Sequence, residues 1–217
     1  ISGANIKFVG SPAGVSIGED GPSQMGLEDL AMFSTVFGSV VLCPGDAVAC
    51  AKLVKVAAEV PGIFYIRTNR PATPVIYGND EEFKVGGSKV VRLTKSDKLT
   101  IVACGVTLIE TIKAADELKK EGISVRVIDA YSIKPIDGEN IKKAARETNS
   151  CVLTVEDHHF EGGLGDAVLN VFGGDDKVKV YKLGVLQMPM SGTGSELLDY
   201  EGISCAKIIA KAKKILE

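Results

Sequence analysis

Residues 10–24 read GSPAGVSIGEDGPSQ, a run of Gly, Pro, Ser and acids with neither helical nor strand period. A loop of this length inside a compact chain is where functional side chains are presented. Its carboxylate Asp20 lies between Gly18 and Gly21 and can be offered to a narrow channel. Taken alone, an Asp-Gly pair reads first as a solvated turn or an Asx-turn acceptor. Gln24 carries an amide able to donate to a phosphate or to bind one through water; its competing use is a cap contact for the helix expected near Leu27. Farther on, Arg70 offers a planar fork of donors well shaped for a phosphate. Arg67 alternates to the other face of its strand from its even-numbered neighbours and is expected in a structural ion pair. Gly162-Gly163-Leu164-Gly165 has the look of a phosphate loop before a helix, but a lone Gly cluster is more often a tight strand-to-helix turn, and we read it so. His158 and His159, the only histidines, have around them no Cys or carboxylate arrangement that makes a zinc set. A structural or interface role is expected of them, and no metal site.

The bulk numbers narrow the classes. A chain of 217 residues, 45% hydrophobic and 24% charged, can bury a large core as one large or two small domains. Its 24 Gly residues and 6% aromatic content suit strands and helices alternating through tight turns rather than an all-β fold. A net charge of -3 with scattered Lys gives no basic stripe for nucleic acid. Five Cys without repeating spacing are expected as reduced core residues of a cytoplasmic protein. No apolar run approaches the roughly 20 residues a membrane helix needs, and no targeting segment opens the sequence. The first residue is Ile1, ahead of a strand-like run, which suggests a piece of something longer.

The elements that must position these residues follow from periodicity and punctuation. Strands are expected at 5–9, 39–42 and 63–68, a short helix at 27–33, and a helix from an Asp46 cap to about Val60. Pro71 and Pro74 then break the pattern, and residues 79–97 are expected to be a linker holding a single strand. From Leu99 the alternation is regular: strands at 99–104, 124–129, 151–155 and 178–184, helices at 107–120, 137–147, 163–171 and 204–216, the last capped by Ser204. Apolar strands between amphipathic helices predict an α/β fold of mostly parallel sheets flanked by helices. Residues 98–217 have the size of a complete domain; residues 1–78 lack opening strands and read as part of one.

The run Gly14 to Met25 with Leu27-Glu28-Asp29-Leu30-Ala31-Met32-Phe33 closely resembles the pyrimidine-binding domain of transketolases. Pro44 to Val48, Ile66 to Pro71, Ala103 to Thr107, Ile133 to Asp137 and Thr154 to His158 agree with that family in the same order, so the resemblance spans nearly the whole chain. It implies the back half of the pyrimidine-binding domain followed by a complete transketolase C-terminal domain. It also implies a homodimer that transfers two-carbon ketol units between sugar phosphates in the pentose phosphate pathway, with thiamine diphosphate and Mg2+ or Ca2+ as cofactors. By position in the family motifs, Asp20 would contact a hydroxyl of the donor sugar, Arg70 the substrate phosphate, and Gln24 the thiamine diphosphate side of the pocket. Gly18-Glu19-Asp20-Gly21 imitates the metal signature of thiamine enzymes without its Asn-containing continuation, and the family places that signature in its first domain. Pro12 is a departure: the family has a substrate-contacting His there, and proline offers no side-chain donor. The family's essential Glu and the rings that clasp the pyrimidine would lie upstream of Ile1, so the chain alone is expected to be inactive and holds no catalytic residue of its own. The other readings are a non-catalytic dimerisation and stability module, or a transketolase-like paralogue with altered activity.

Overall fold

The computed structural model describes residues 3–217; Ile1 and Ser2 lie outside the described residues. Strands β1 (Ile6–Gly10), β2 (Val40–Leu42) and β3 (Ile63–Arg67) are rich in β-branched and aromatic residues and pair in parallel, β3 between the other two. Helix α1 (Asp29–Thr35) follows the polar loop, and α2 (Ala47–Glu59) starts where the Asp46 carboxylate accepts the Ala49 N–H at 2.7 Å. The expected cap is therefore present. The second oxygen of Asp46 has a further use, accepting the N–H groups of Ile76 and Tyr77 at 2.7 and 3.0 Å, which fastens the Pro-interrupted segment.

The second half alternates as its periodicity predicts, through β4 (Lys89–Arg92), β5 (Thr100–Ala103), α3 (Val106–Lys120), β6 (Arg126–Asp129), β7 (Ser132–Lys134), α4 (Gly138–Glu147), β8 (Cys151–His159), α5 (Leu164–Val171), β9 (Lys179–Val185), α6 (Gly194–Tyr200) and α7 (Cys205–Leu216). Its sheet has the order β4-β6-β5-β8-β9, parallel except for β4 at one edge. The strand inside the segment expected as a linker thus belongs to this sheet. Asp137 caps α4 and Ser204 caps α7.

Two elements were not anticipated. Strand β7 leaves the second half and adds antiparallel to β2, so that the first sheet runs β1-β3-β2-β7. Helix α6 begins with a capping box between Thr193 and Glu196. One buried cluster spans both sheets, joining Leu30, Val41 and Tyr65 to Val102, Ile128 and Val152. All five Cys are free; Cys43 and Cys104 are buried and the other three half-buried.

Candidate functional site

The loop after β1 is ordered by its own backbone. It holds two 3-10 turns, Val15–Ile17 and Pro22–Gln24, and its flanks meet where the Gly14 N–H donates to the Gly26 carbonyl at 2.9 Å. Between the turns, the N–H of Gly18 donates to the Val15 carbonyl and that of Gly21 to the Gly18 carbonyl, each at 3.1 Å. Gly18 and Gly21 have φ of 85° and 79°, a region that side-chain-bearing residues rarely adopt, so the turn that lifts Asp20 into solvent needs both glycines.

Asp20 and Arg70, fifty residues apart, meet at the surface: Arg70 Nη1 donates to an Asp20 carboxylate oxygen, and the side chains are 45% and 60% exposed. Gln24 is exposed on the following 3-10 turn, and among the described residues its side chain makes no hydrogen bond. The cap contact considered for it does not form. Pro12 is half-buried, two residues before Gly14. A cavity of about 270 Å3 flanks Asn69 and Pro71, lined also by Asp46, Cys50 and Thr73; neither Asp20 nor Arg70 lines it.

Beneath this exposed pair lies a buried one. Arg67, at the end of β3, donates through Nε to Asp29 at 2.8 Å, and through Nη2 to the carbonyls of Gly26 and Asp157, both at 2.7 Å. Tyr65 donates its hydroxyl to the same Asp29 carboxylate. The structural ion pair expected of Arg67 is thus present. From β8, the Asp157 carboxylate accepts the N–H groups of Val15 at 2.8 Å and Ser16 at 3.3 Å. A Cβ on Gly14 would run into that carboxylate. Burial pushes the Asp157 carboxyl up, opposed by Arg67 and the two amides.

The neighbours of Asp157 on β8 resolve two other sequence features. Both oxygens of Glu156 are taken by the backbone N–H groups of Leu164 and Gly165 at 2.6 and 2.7 Å, so the chain's own acid fills the Gly cluster that imitates a phosphate loop. Burial raises the Glu156 carboxyl to about 7, opposed by those amides. His158 is fully buried, its Nδ1 facing the His159 carbonyl at 2.8 Å and its Nε2 facing the Ala31 N–H at 3.4 Å. That arrangement needs the neutral ring with the proton on Nδ1, consistent with burial and Arg67 holding its pKa down at about 4. Asp157 and Glu156 were absent from the sequence-derived site, and Arg67 was read there only as a structural ion pair; the partners of Asp157 are backbone amides, which leave no signal in the sequence.

The two linked α/β sheets correspond to two family models matched in sequence order. Residues 1–75 match the transketolase pyrimidine binding domain and residues 88–208 the transketolase C-terminal domain. The chain belongs to the transketolase family. It is 50% identical over 216 residues to the transketolase of Rattus norvegicus, covering 100% of this chain and 35% of that protein. It is 47% identical to transketolase-like protein 1 of Bos taurus, with 100% and 36% covered. Among solved structures, a split-gene transketolase described as an inactive beta4 tetramer superposes with a TM-score of 0.84 at 35% identity, over 96% of this chain and 65% of that one. The transketolase of Campylobacter jejuni shares the fold, with a TM-score of 0.72 at 18% identity over 96% of this chain and 31% of that one.

Proposed function

We propose that this chain is the substrate-facing part of a transketolase, which moves a two-carbon ketol unit from a ketose phosphate to an aldose phosphate once other polypeptide completes it. In this reading residues 1–78 are part of the pyrimidine-binding domain, 79–97 the link, whose strand β4 is taken up by the second sheet, and 98–217 the C-terminal domain. The observation that carries it is the meeting of Asp20 and Arg70 at one exposed rim. An exposed ion pair is worth no more than about 1 kcal/mol, whereas hydrogen bonds to charged groups reach about 3. A phosphorylated sugar therefore draws the Arg70 fork onto its phosphate and releases the Asp20 carboxylate to accept from a sugar hydroxyl. Gln24, exposed on the next turn, fits one peripheral contact to thiamine diphosphate. When bound, the cofactor supplies the nucleophile and electron sink for breaking the ketose carbon–carbon bond. Among the described residues no group of three or more His, Cys, Asp or Glu is arranged to hold a metal.

The exposed apolar residues Ile6, Phe8 and Val9 on edge strand β1, and Met32 and Phe37 elsewhere in the first half, support a covering polypeptide, whether further domains or a second copy. Among the described residues no helix is long and apolar enough to cross a membrane, and a cytoplasmic setting fits free thiols. The test is a coupled assay of ketol transfer with thiamine diphosphate and a divalent metal, on this chain alone and on the completed enzyme. Activity is expected only in the second; transfer by the chain alone, or by neither, would reject the reading. Pro12 in place of the family's His leaves a transketolase-like paralogue of altered specificity as the second reading, and Pro12→Ala and Pro12→His versions of the completed enzyme measure it through the donor KM.

A further inference from the structure

Asp20 and Arg70 stand on exposed loops, yet each leads back within four residues to one buried cluster. The N–H groups of Val15 and Ser16 donate to the Asp157 carboxylate, and Ser16 precedes Asp20 by four residues. The Val15 carbonyl accepts the Gly18 N–H and the Gly18 carbonyl accepts the Gly21 N–H, so the position of Val15 is passed turn by turn to Asp20. On the other arm, Arg67 precedes Arg70 by three residues and donates to the Asp157 carbonyl at 2.7 Å. From a third direction α6 closes on the same loop: a Cβ on Gly194 would stand 2.8 Å from the Ser16 carbonyl oxygen.

We propose that Asp157, on the sheet of the second half, is the positioning residue of the substrate site: its carboxylate fixes the 14–21 loop so that the Asp20 turn faces the donor sugar. The proposal rests on the reading of Asp20 as a sugar contact and deepens it by assigning the C-terminal half a part in substrate recognition. A carboxylate accepting two successive N–H groups sets both the height and the tilt of the turn they begin, because each bond weakens steeply when misaligned. The competing role, in which Asp157 merely satisfies buried amides, lowers stability without singling out the substrate and without depending on Asp20.

Asp157→Asn separates the two, since it keeps the side chain's shape but turns one acceptor oxygen into a donor facing a donor. In the completed enzyme the ketose phosphate KM is expected to rise about tenfold with kcat changed less than about threefold. In an Asp20→Ala background the same substitution is expected to add less than about twofold, because the contact it positions is already gone. Hydrogen exchange is expected to quicken at the amides of residues 15–21 and not elsewhere. An unchanged KM, or an undiminished effect in the Asp20→Ala background, overturns the proposal. If Asp157→Asn does not fold, Gly194→Ala presses on Ser16 from α6, and the same KM rise and non-additivity are expected; an unchanged KM there overturns it equally. Absence of transfer by the unsubstituted completed enzyme counts against the proposed function instead, and amide exchange then decides: acceleration confined to residues 15–21 supports the positioning role, unchanged exchange rejects it.

Discussion

Two arginines three residues apart show how burial divides labour on one segment. Arg67 has a side chain 2% exposed and answers to Asp29, Gly26 and Asp157, so removing its partner would strand a charge at a cost of about 3–5 kcal/mol. Arg70 is open to solvent and can exchange partners cheaply. Asp20, Gln24 and Arg70 were candidates through their positions in the family motifs, since a lone Asp-Gly pair reads first as a solvated turn. Asp157 was not: its partners are backbone amides 141 and 142 residues away, which no local pattern records. Asp129 is a second silent acid. It is fully buried, one oxygen accepts from Tyr77 at 2.6 Å, the other has no partner among the described residues, and burial raises its carboxyl to about 7. Unfolded, it titrates near 4, so between about pH 4 and 7 only the folded chain keeps the proton, and stability falls as pH rises through that window. Asp129→Asn cannot titrate. Measured by urea unfolding, its stability relative to the parent is expected to grow between pH 5 and pH 8, by on the order of a few kcal/mol; a difference independent of pH would exclude the buried titration. Glu156 and His158 titrate in both proteins and cancel.

At the scale of elements, long periodic segments could be read directly, and so could the caps at Asp46 and Ser204, because a cap is a local side-chain event. Strand β8 extends to His159, past the expected end at residue 155, because its acids and histidine are buried with partners rather than solvated. The three-residue β7 carries too few positions to show alternation. Helix α6 was hidden behind Met188-Pro189-Met190 and Gly192, although its Thr193 and Glu196 spell a capping box. Strand β7 has a thermodynamic consequence: it ties the second half to the first sheet, and its Lys134 donates to the carbonyls of Ser34 and Val36. The halves are therefore expected to unfold together. Calorimetric and van't Hoff enthalpies should agree, and two resolved transitions would show that the β2–β7 pairing does not couple them.

For the whole molecule, each half of the proposed site depends on the other. The first sheet carries the polar rim, and the second supplies the carboxylate beneath the loop and the strand that closes the first sheet's edge. Family membership follows from sequence over the full chain, while in the proposed reading the cofactor would meet this chain at one exposed amide, that of Gln24. What the chain itself would contribute is recognition of a phosphorylated sugar by a guanidinium that exchanges a carboxylate for a phosphate. The direct measurement is kcat/KM of the completed enzyme and its Arg70→Ala variant for a ketose phosphate and for the same ketose without phosphate. A hydrogen-bonded charge pair sets the scale, so the preference for the phosphorylated donor is expected to fall by about tenfold or more while the plain sugar is turned over nearly as before. Equal losses on both sugars, or none on either, would mean that Arg70 does not read the phosphate.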